Sequence, residues 1–181
     1  RAAWAELMEL KEQGLLYTDD DYVNPAMAIV KNAPVKALCL HVSHDCNLRC
    51  KYCFASTGDF GTGRKTMPPE IAKKAIDFFI EKSGARQNIE VDFFGGEPLM
   101  AMDTVRQTVE YARSIEKQHN KHFRFTITTN GVGLNDENID YINREMGNCV
   151  LSLDGRPEVN DKNRITPSGS GSYDIILPKF K

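Results

Sequence analysis

At 181 residues the chain is long enough for one domain with a substantial core and a small appendage, since domains run to roughly 100–200 residues. With 41% hydrophobic and 27% charged residues it has the composition of a globular protein, and no stretch approaches the ~18 consecutive apolar residues of a membrane span, so no membrane is expected. A net charge of −2 gives no reason to expect nucleic acid.

The first segment, Ala2 to Tyr22, predicts a helix with Trp4, Leu7, Met8 and Lys11 on one stripe and Gly14 at its C-terminal end, then an acidic turn at Asp19 to Asp21. Val23 to Pro34 contains two prolines and no clear periodicity, which marks a connector and a boundary, so residues 1–34 and 35–181 are read as separate parts. From Val35 the pattern alternates. "VKALCLHVS" predicts a strand and is followed by a cysteine-rich loop, and "PPEIAKKAIDFFIEKSG" predicts a helix opened by prolines and stopped at Gly84, with Phe78 and Phe79 in its core. "NIEVDFF" predicts a strand, and "DTVRQTVEYARSIEKQH" a helix capped by Asp103 with Val105, Val109, Ala112 and Ile115 on one face. "HFRFTITT" predicts a strand, "NDENIDYINREMG" a helix capped by Asn135, and "NCVLSLD" a strand, with a further helix beginning near Ser172.

Strands and helices alternating at this spacing imply an α/β fold built from parallel β/α units, of which four are visible. Four strands cannot close a barrel, so the sheet is open or the chain is a piece of a longer protein. Side chains two apart share a face, which sets Val150, Ser152 and Asp154, and likewise Arg124, Thr126 and Thr128, against apolar opposite faces. A polar interior opening at the C-terminal strand ends is where β/α proteins keep their sites.

The loop after the first strand reads "HDCNLRCKYCFA" and places Cys46, Cys50 and Cys53 in a CxxxCxxC pattern. Five cysteines, three of them clustered, do not make a disulfide framework, and a reducing cytoplasm is the expected location. Cys39 and Cys149, inside strands, are expected to be buried core thiols. Soft thiolates this close suit zinc or iron–sulfur. Zinc needs a fourth ligand, for which His41 and His44 are candidates, although both read better as structural; a cluster on three thiolates keeps one iron open.

Here the chain resembles the radical S-adenosylmethionine (SAM) enzymes, whose hallmark is CxxxCxxC with an aromatic before the last cysteine, in this sequence Tyr52. "FFGGEP" resembles the family's GGE motif, which holds the SAM amino group, and assigns Gly95, Gly96 and Glu97 to cofactor binding. "TTNG" and "LSLDG" sit at later strand ends and add Thr128, Asn130, Ser152 and Asp154, while "DKNR" supplies Arg164 for the SAM carboxylate. The resemblance implies a partial (β/α)6 TIM-like barrel with its N-terminal four β/α units present and its C-terminus incomplete, and a 4Fe–4S cluster on Cys46, Cys50 and Cys53 with SAM at the open iron.

Within the family the motifs look like the peptide-modifying branch that includes anaerobic sulfatase-maturating enzymes and thioether-forming maturases. Members of that branch carry a C-terminal SPASM or twitch region with auxiliary 4Fe–4S clusters, which is expected beyond Lys181. The N-terminal helix with "LLYTDDDY" resembles the end of a leader-peptide-binding appendage, as in maturases of the cysteine-rich SCIFF peptides. The implied activity is formation of Cys thioether crosslinks in a ribosomally synthesised Cys-rich precursor peptide, with a reducing electron donor such as ferredoxin or flavodoxin. Formylglycine formation by a sulfatase-type maturase and a non-enzymatic zinc-binding module are the alternatives.

Overall fold

The computed structural model describes residues 2–17, 27, 30 and 33–180. The chain divides into two compact units, Arg1–Ala33 and Pro34–Lys181. In the first, α1 (Ala2–Glu12) is a helix followed by Gly14 in the left-handed region, φ +69°. Trp4, Leu7 and Met8 are exposed on it. The acidic turn at Asp19–Asp21 and most of the connector from Val23 lie outside the described residues.

The second unit is an open parallel sheet in the order β1 (Ala37–Ser43), β2 (Asn88–Gly95), β3 (His122–Thr129), β4 (Asn148–Leu151). Helices α2 (Pro69–Lys82), α3 (Met102–His119) and α4 (Asp136–Glu145) connect successive strands. The fold is therefore the unclosed α/β sheet that the alternation predicts. Leu40, Val42, Val91, Phe93, Phe125 and Ile127 form the buried face, with Phe93, Phe125 and Phe123 in a stacked row. Burying a side chain of this kind stabilises by about 1.5–3 kcal/mol, which makes this row the anchor of the strand register. α2 covers it with Ala72, Ile76 and Phe79, and α3 with Val105, Val109 and Ala112.

Phe78 is 53% exposed, on the flank of α2 away from Phe79, so only one of the two phenylalanines is core. Asp103 does not cap α3. A 3-10 turn at Pro98–Ala101 leads straight into the helix, and Asp103 instead accepts a hydrogen bond from Gln107 one turn on. Asn135 does cap α4, accepting from the Asn138 N–H at 2.9 Å.

Cys39 and Cys149 are exposed rather than buried. Cys39 shares a register row with Asp92 and Thr126 on the polar face, and Cys149 lies on β4, which has a neighbour on one side only. β4 stops at Leu151, three residues short of the predicted strand, after which Ser152 N–H still donates to Thr129 O at 3.0 Å. The chain then enters α5 (Pro157–Asn163), a helix with proline in its first turn that the periodicity did not reveal, and α6 (Tyr173–Ile176) follows near the predicted start. Among the described residues no helix is long and apolar enough to cross a membrane.

Candidate cofactor site at the C-terminal strand ends

The cysteine loop leaves β1 at Ser43 and is fastened at its first residues. Asp45 Oδ1 accepts from the Cys46 N–H at 2.8 Å and pairs with Arg64, while Leu48 is buried beneath the loop. Two donors reach the Cys46 sulfur: the Leu48 N–H at 3.4 Å and the Asn130 side-chain amide at 3.5 Å. Burial nevertheless pushes the Cys46 thiol up, with the Leu48 N–H acting against it. Burial also raises the Cys50 thiol, opposed first by the Arg164 cation. Both thiols thus favour the protonated form until a metal competes for the sulfur.

Glycine is required behind Cys46. A Cβ on Gly58, whose φ is +101°, would stand 2.5 Å from the Cys46 Cβ. The GGE glycines serve a similar purpose, because a Cβ on Gly95 would meet Ser43 O and one on Gly96 would meet Asp45 O, each at 2.3 Å. Their close approach is to the backbone at the start of the cysteine loop. Gly96 N–H donates to Ser43 O at 2.7 Å and Glu97 N–H to Asp45 O at 2.8 Å, which joins the ends of β1 and β2.

Glu97 is 1% exposed. Its Oε1 accepts from Thr129 Oγ1 at 2.6 Å and from Leu99 N–H at 3.0 Å, and its Oε2 from Asn130 N–H at 2.8 Å. Burial pushes the carboxyl up, and these donors pull the other way. The carboxylate therefore ties the GGE loop to the TTN end of β3.

Cys46, Cys50, Cys53, Tyr52, Gly95, Gly96, Thr128, Asn130, Ser152 and Arg164 all line one cavity. Glu97 and Asp154 lie outside its lining. Asp154 is nonetheless joined to it, because the Tyr52 hydroxyl donates to Asp154 Oδ2 at 2.7 Å and accepts from Arg164 Nη1 at 2.8 Å. The Arg164 side chain is 8% exposed, and its Nε is buried with no hydrogen-bond partner. A mostly buried guanidinium among the residues of a cavity wall, with donors to spare, fits a carboxylate. His41 and His44 border a different hollow, with Lys65 and Met67, and pack on Phe60 at 4.9 and 4.6 Å.

Sequence reading missed Asp45, Gly58, Arg64 and Thr129. Arg64 and Thr129 act on residues 19 and 32 positions away in the chain. Three non-glycine residues just after Cys53 (Ser56, Thr57 and Phe60) have positive φ, between 49° and 64°, a strain that composition does not reveal.

The pattern of the radical SAM superfamily matches residues 40–167. Among curated proteins the chain is 29% identical over 147 residues to a cysteine-type anaerobic sulfatase-maturating enzyme of Clostridium novyi, covering 77% of this chain and 37% of that protein. It is 28% identical to the radical SAM cyclopropyl synthase TigE of Paramaledivibacter caminithermalis, with 76% and 30% covered. To the sporulation killing factor maturation protein SkfB of Bacillus subtilis it is 25% identical, with 69% and 28% covered. The chain thus spans less than two fifths of the length of each of these relatives. Among solved structures, anSMEcpe with bound AdoMet matches at a TM-score of 0.69 and 22% identity over 80% of this chain and 39% of that one, a likeness of fold. A family match over most of the chain, on a sheet of the same fold, leads to one assignment: the chain belongs to the radical SAM superfamily.

Proposed function

We propose that Cys46, Cys50 and Cys53 hold one 4Fe–4S cluster and that the cavity they line binds SAM. The observation that carries this reading is the convergence in one cavity of three thiols and a buried Arg164 whose Nε has no partner. Such a cluster, with SAM bound, would supply the electron for reductive cleavage of SAM. Among the described residues no three His, Cys, Asp or Glu side chains are gathered around a point for a single metal ion. A tetrahedral zinc would need a fourth protein ligand beside the three thiols, and His41 and His44 border a different hollow.

The chain's own residues divide the remaining tasks. The Leu48 N–H and Asn130 amide favour the thiolate of Cys46. Arg164 would take the SAM carboxylate, Ser152 and, joined through Tyr52, Asp154 would serve the ribose and methionyl parts, and Gly95 and Gly96 would present backbone to the amine. Glu97, with three protein donors already on it, holds that backbone in place in addition to suiting a cationic amine nearby. Replacing all three cysteines by alanine should remove this cluster's iron and abolish SAM cleavage in anaerobically reconstituted protein; cleavage surviving in that variant would refute the assignment.

The whole protein is read as a peptide maturase that forms Cys thioether crosslinks in a ribosomally synthesised Cys-rich precursor. The sulfatase-maturating enzyme and SkfB among the relatives are both maturation proteins, which supports the class. Residues 1–34 then form the end of a leader-binding appendage and 35–181 the SAM-binding core, with auxiliary clusters further along the chain and ferredoxin or flavodoxin as electron donor. The cysteine-type sulfatase maturase among the relatives favours formylglycine formation as the second reading. Mass spectrometry of a treated precursor separates the two: a crosslink retains the cysteine sulfur, and formylglycine has lost it.

A further inference from the structure

We infer that the Tyr52 hydroxyl is a positioning group that keeps Arg164 available to an incoming carboxylate, an inference that rests on the reading of Arg164 above. The hydroxyl stands between two opposite charges, donating to Asp154 Oδ2 at 2.7 Å and accepting from Arg164 Nη1 at 2.8 Å. With it in place, Arg164 Nη1 and Asp154 Oδ1 are 3.8 Å apart, at the limit of an ion pair. One end of the guanidinium is held by a neutral oxygen, and its Nε remains buried and unpartnered.

Both charged residues are fixed from behind. Arg164 N–H donates to Asn160 O at 2.7 Å and Arg164 O accepts from Ser172 Oγ at 2.7 Å, while Asp154 N–H donates to Asn160 Oδ1 at 3.3 Å. The cysteine loop is bound to the same segment through Lys51 N–H on Asn163 O at 2.9 Å and Arg49 N–H on Ile165 O at 2.6 Å. Neither the loop nor the arginine backbone therefore depends on the phenol. Without the hydroxyl no protein group stands between the buried guanidinium and the partly exposed carboxylate, and a direct pair would compete with a ligand for the same donors. Tyr52 in this way couples the residue between two cysteines to the residue that receives the far end of the ligand.

The test uses Tyr52→Phe, which keeps the ring and removes the oxygen, in anaerobically reconstituted protein. SAM affinity should fall about tenfold, the loss expected for a charge-assisted contact, with iron content unchanged. Affinity for methylthioadenosine, which has the nucleoside but no amino-acid carboxylate, should not move. In an Arg164→Ala background Tyr52→Phe should have no further effect on SAM. Unchanged SAM affinity, equal losses for SAM and methylthioadenosine, additive effects with Arg164→Ala, or loss of iron would each overturn the inference. If Arg164→Ala itself left SAM affinity unaltered, the reading of Arg164 would fail as well, which distinguishes the two failures.

Discussion

A buried carboxylate with every hydrogen bond supplied by its own chain is costly to alter, and Glu97 is in that position. Glu97→Gln replaces one acceptor oxygen by a donor that would face the Asn130 N–H or the Thr129 and Leu99 donors. The loss should be about 1–3 kcal/mol, read as a lower urea midpoint in the protein without added iron; an unchanged midpoint would show that the loop does not depend on this residue. Asp92 gives a pH signature. Burial, as the main cause, holds its carboxyl above the ordinary 3.8, against the Thr128 hydroxyl and the His41 charge, while Cys39 is its neighbour from β1. The native state then keeps a proton that the unfolded chain has released, so stability is fully present below the unfolded value and declines as pH rises through the folded one. Asp92→Asn lacks this slope and should gain on the parent as pH climbs from about 3 to about 7; parallel stability curves for the two proteins would contradict it. At this scale the sequence showed which residue types matter but not whom they touch. "FFGGEP" announces a glycine turn with an acid, yet two of the three donors that occupy Glu97 come from "TTN", more than 30 residues on.

Between elements, contacts that no periodicity encodes hold the loops in place. Lys121, buried at the start of β3, donates to Gly84 O at 2.6 Å and Arg86 O at 2.8 Å and so closes the C-terminal end of α2. Lys121→Met keeps the stem and leaves both carbonyls unsatisfied, and it should cost about 1–3 kcal/mol in thermal or urea denaturation. Gly58→Ala should act on the site instead. Its Cβ would intrude on Cys46 and its φ of +101° is unfavourable for alanine, so iron retention should drop along with about 1–3 kcal/mol of stability; full iron loading would mean the loop can retreat. The four strands and three long helices were readable because their apolar residues repeat at the period of each element and are bounded by proline, asparagine or glycine. α5 was not, because its seven residues carry one apolar side chain besides the opening proline, Val159, and offer no stripe. β4 was overextended for a related reason: "LSLDG" alternates like a strand, but with a neighbour on one side only the pairing ends at Leu151, and Ser152 becomes cavity wall.

For the whole molecule, the division into Arg1–Ala33 and Pro34–Lys181 separates two kinds of surface. Every residue lining the cysteine cavity, and every contact that fixes Arg164, belongs to the second unit. The first unit contributes a short helix whose Trp4, Leu7 and Met8 are exposed, tryptophan and methionine being residue types enriched at binding surfaces. If that helix docks the leader of a precursor peptide, affinity for the leader and chemistry at the cluster are separable by mutation. The triple substitution of Trp4, Leu7 and Met8 by serine should weaken leader binding at least tenfold, since hot-spot side chains of this kind cost about 2 kcal/mol or more when truncated, while iron content and SAM affinity stay at the parent level. Fluorescence anisotropy with a labelled leader, alongside SAM binding on the same preparations, provides both readings. Unchanged leader affinity would return the helix to a structural role, and a parallel loss of SAM binding would show that the two units are energetically coupled.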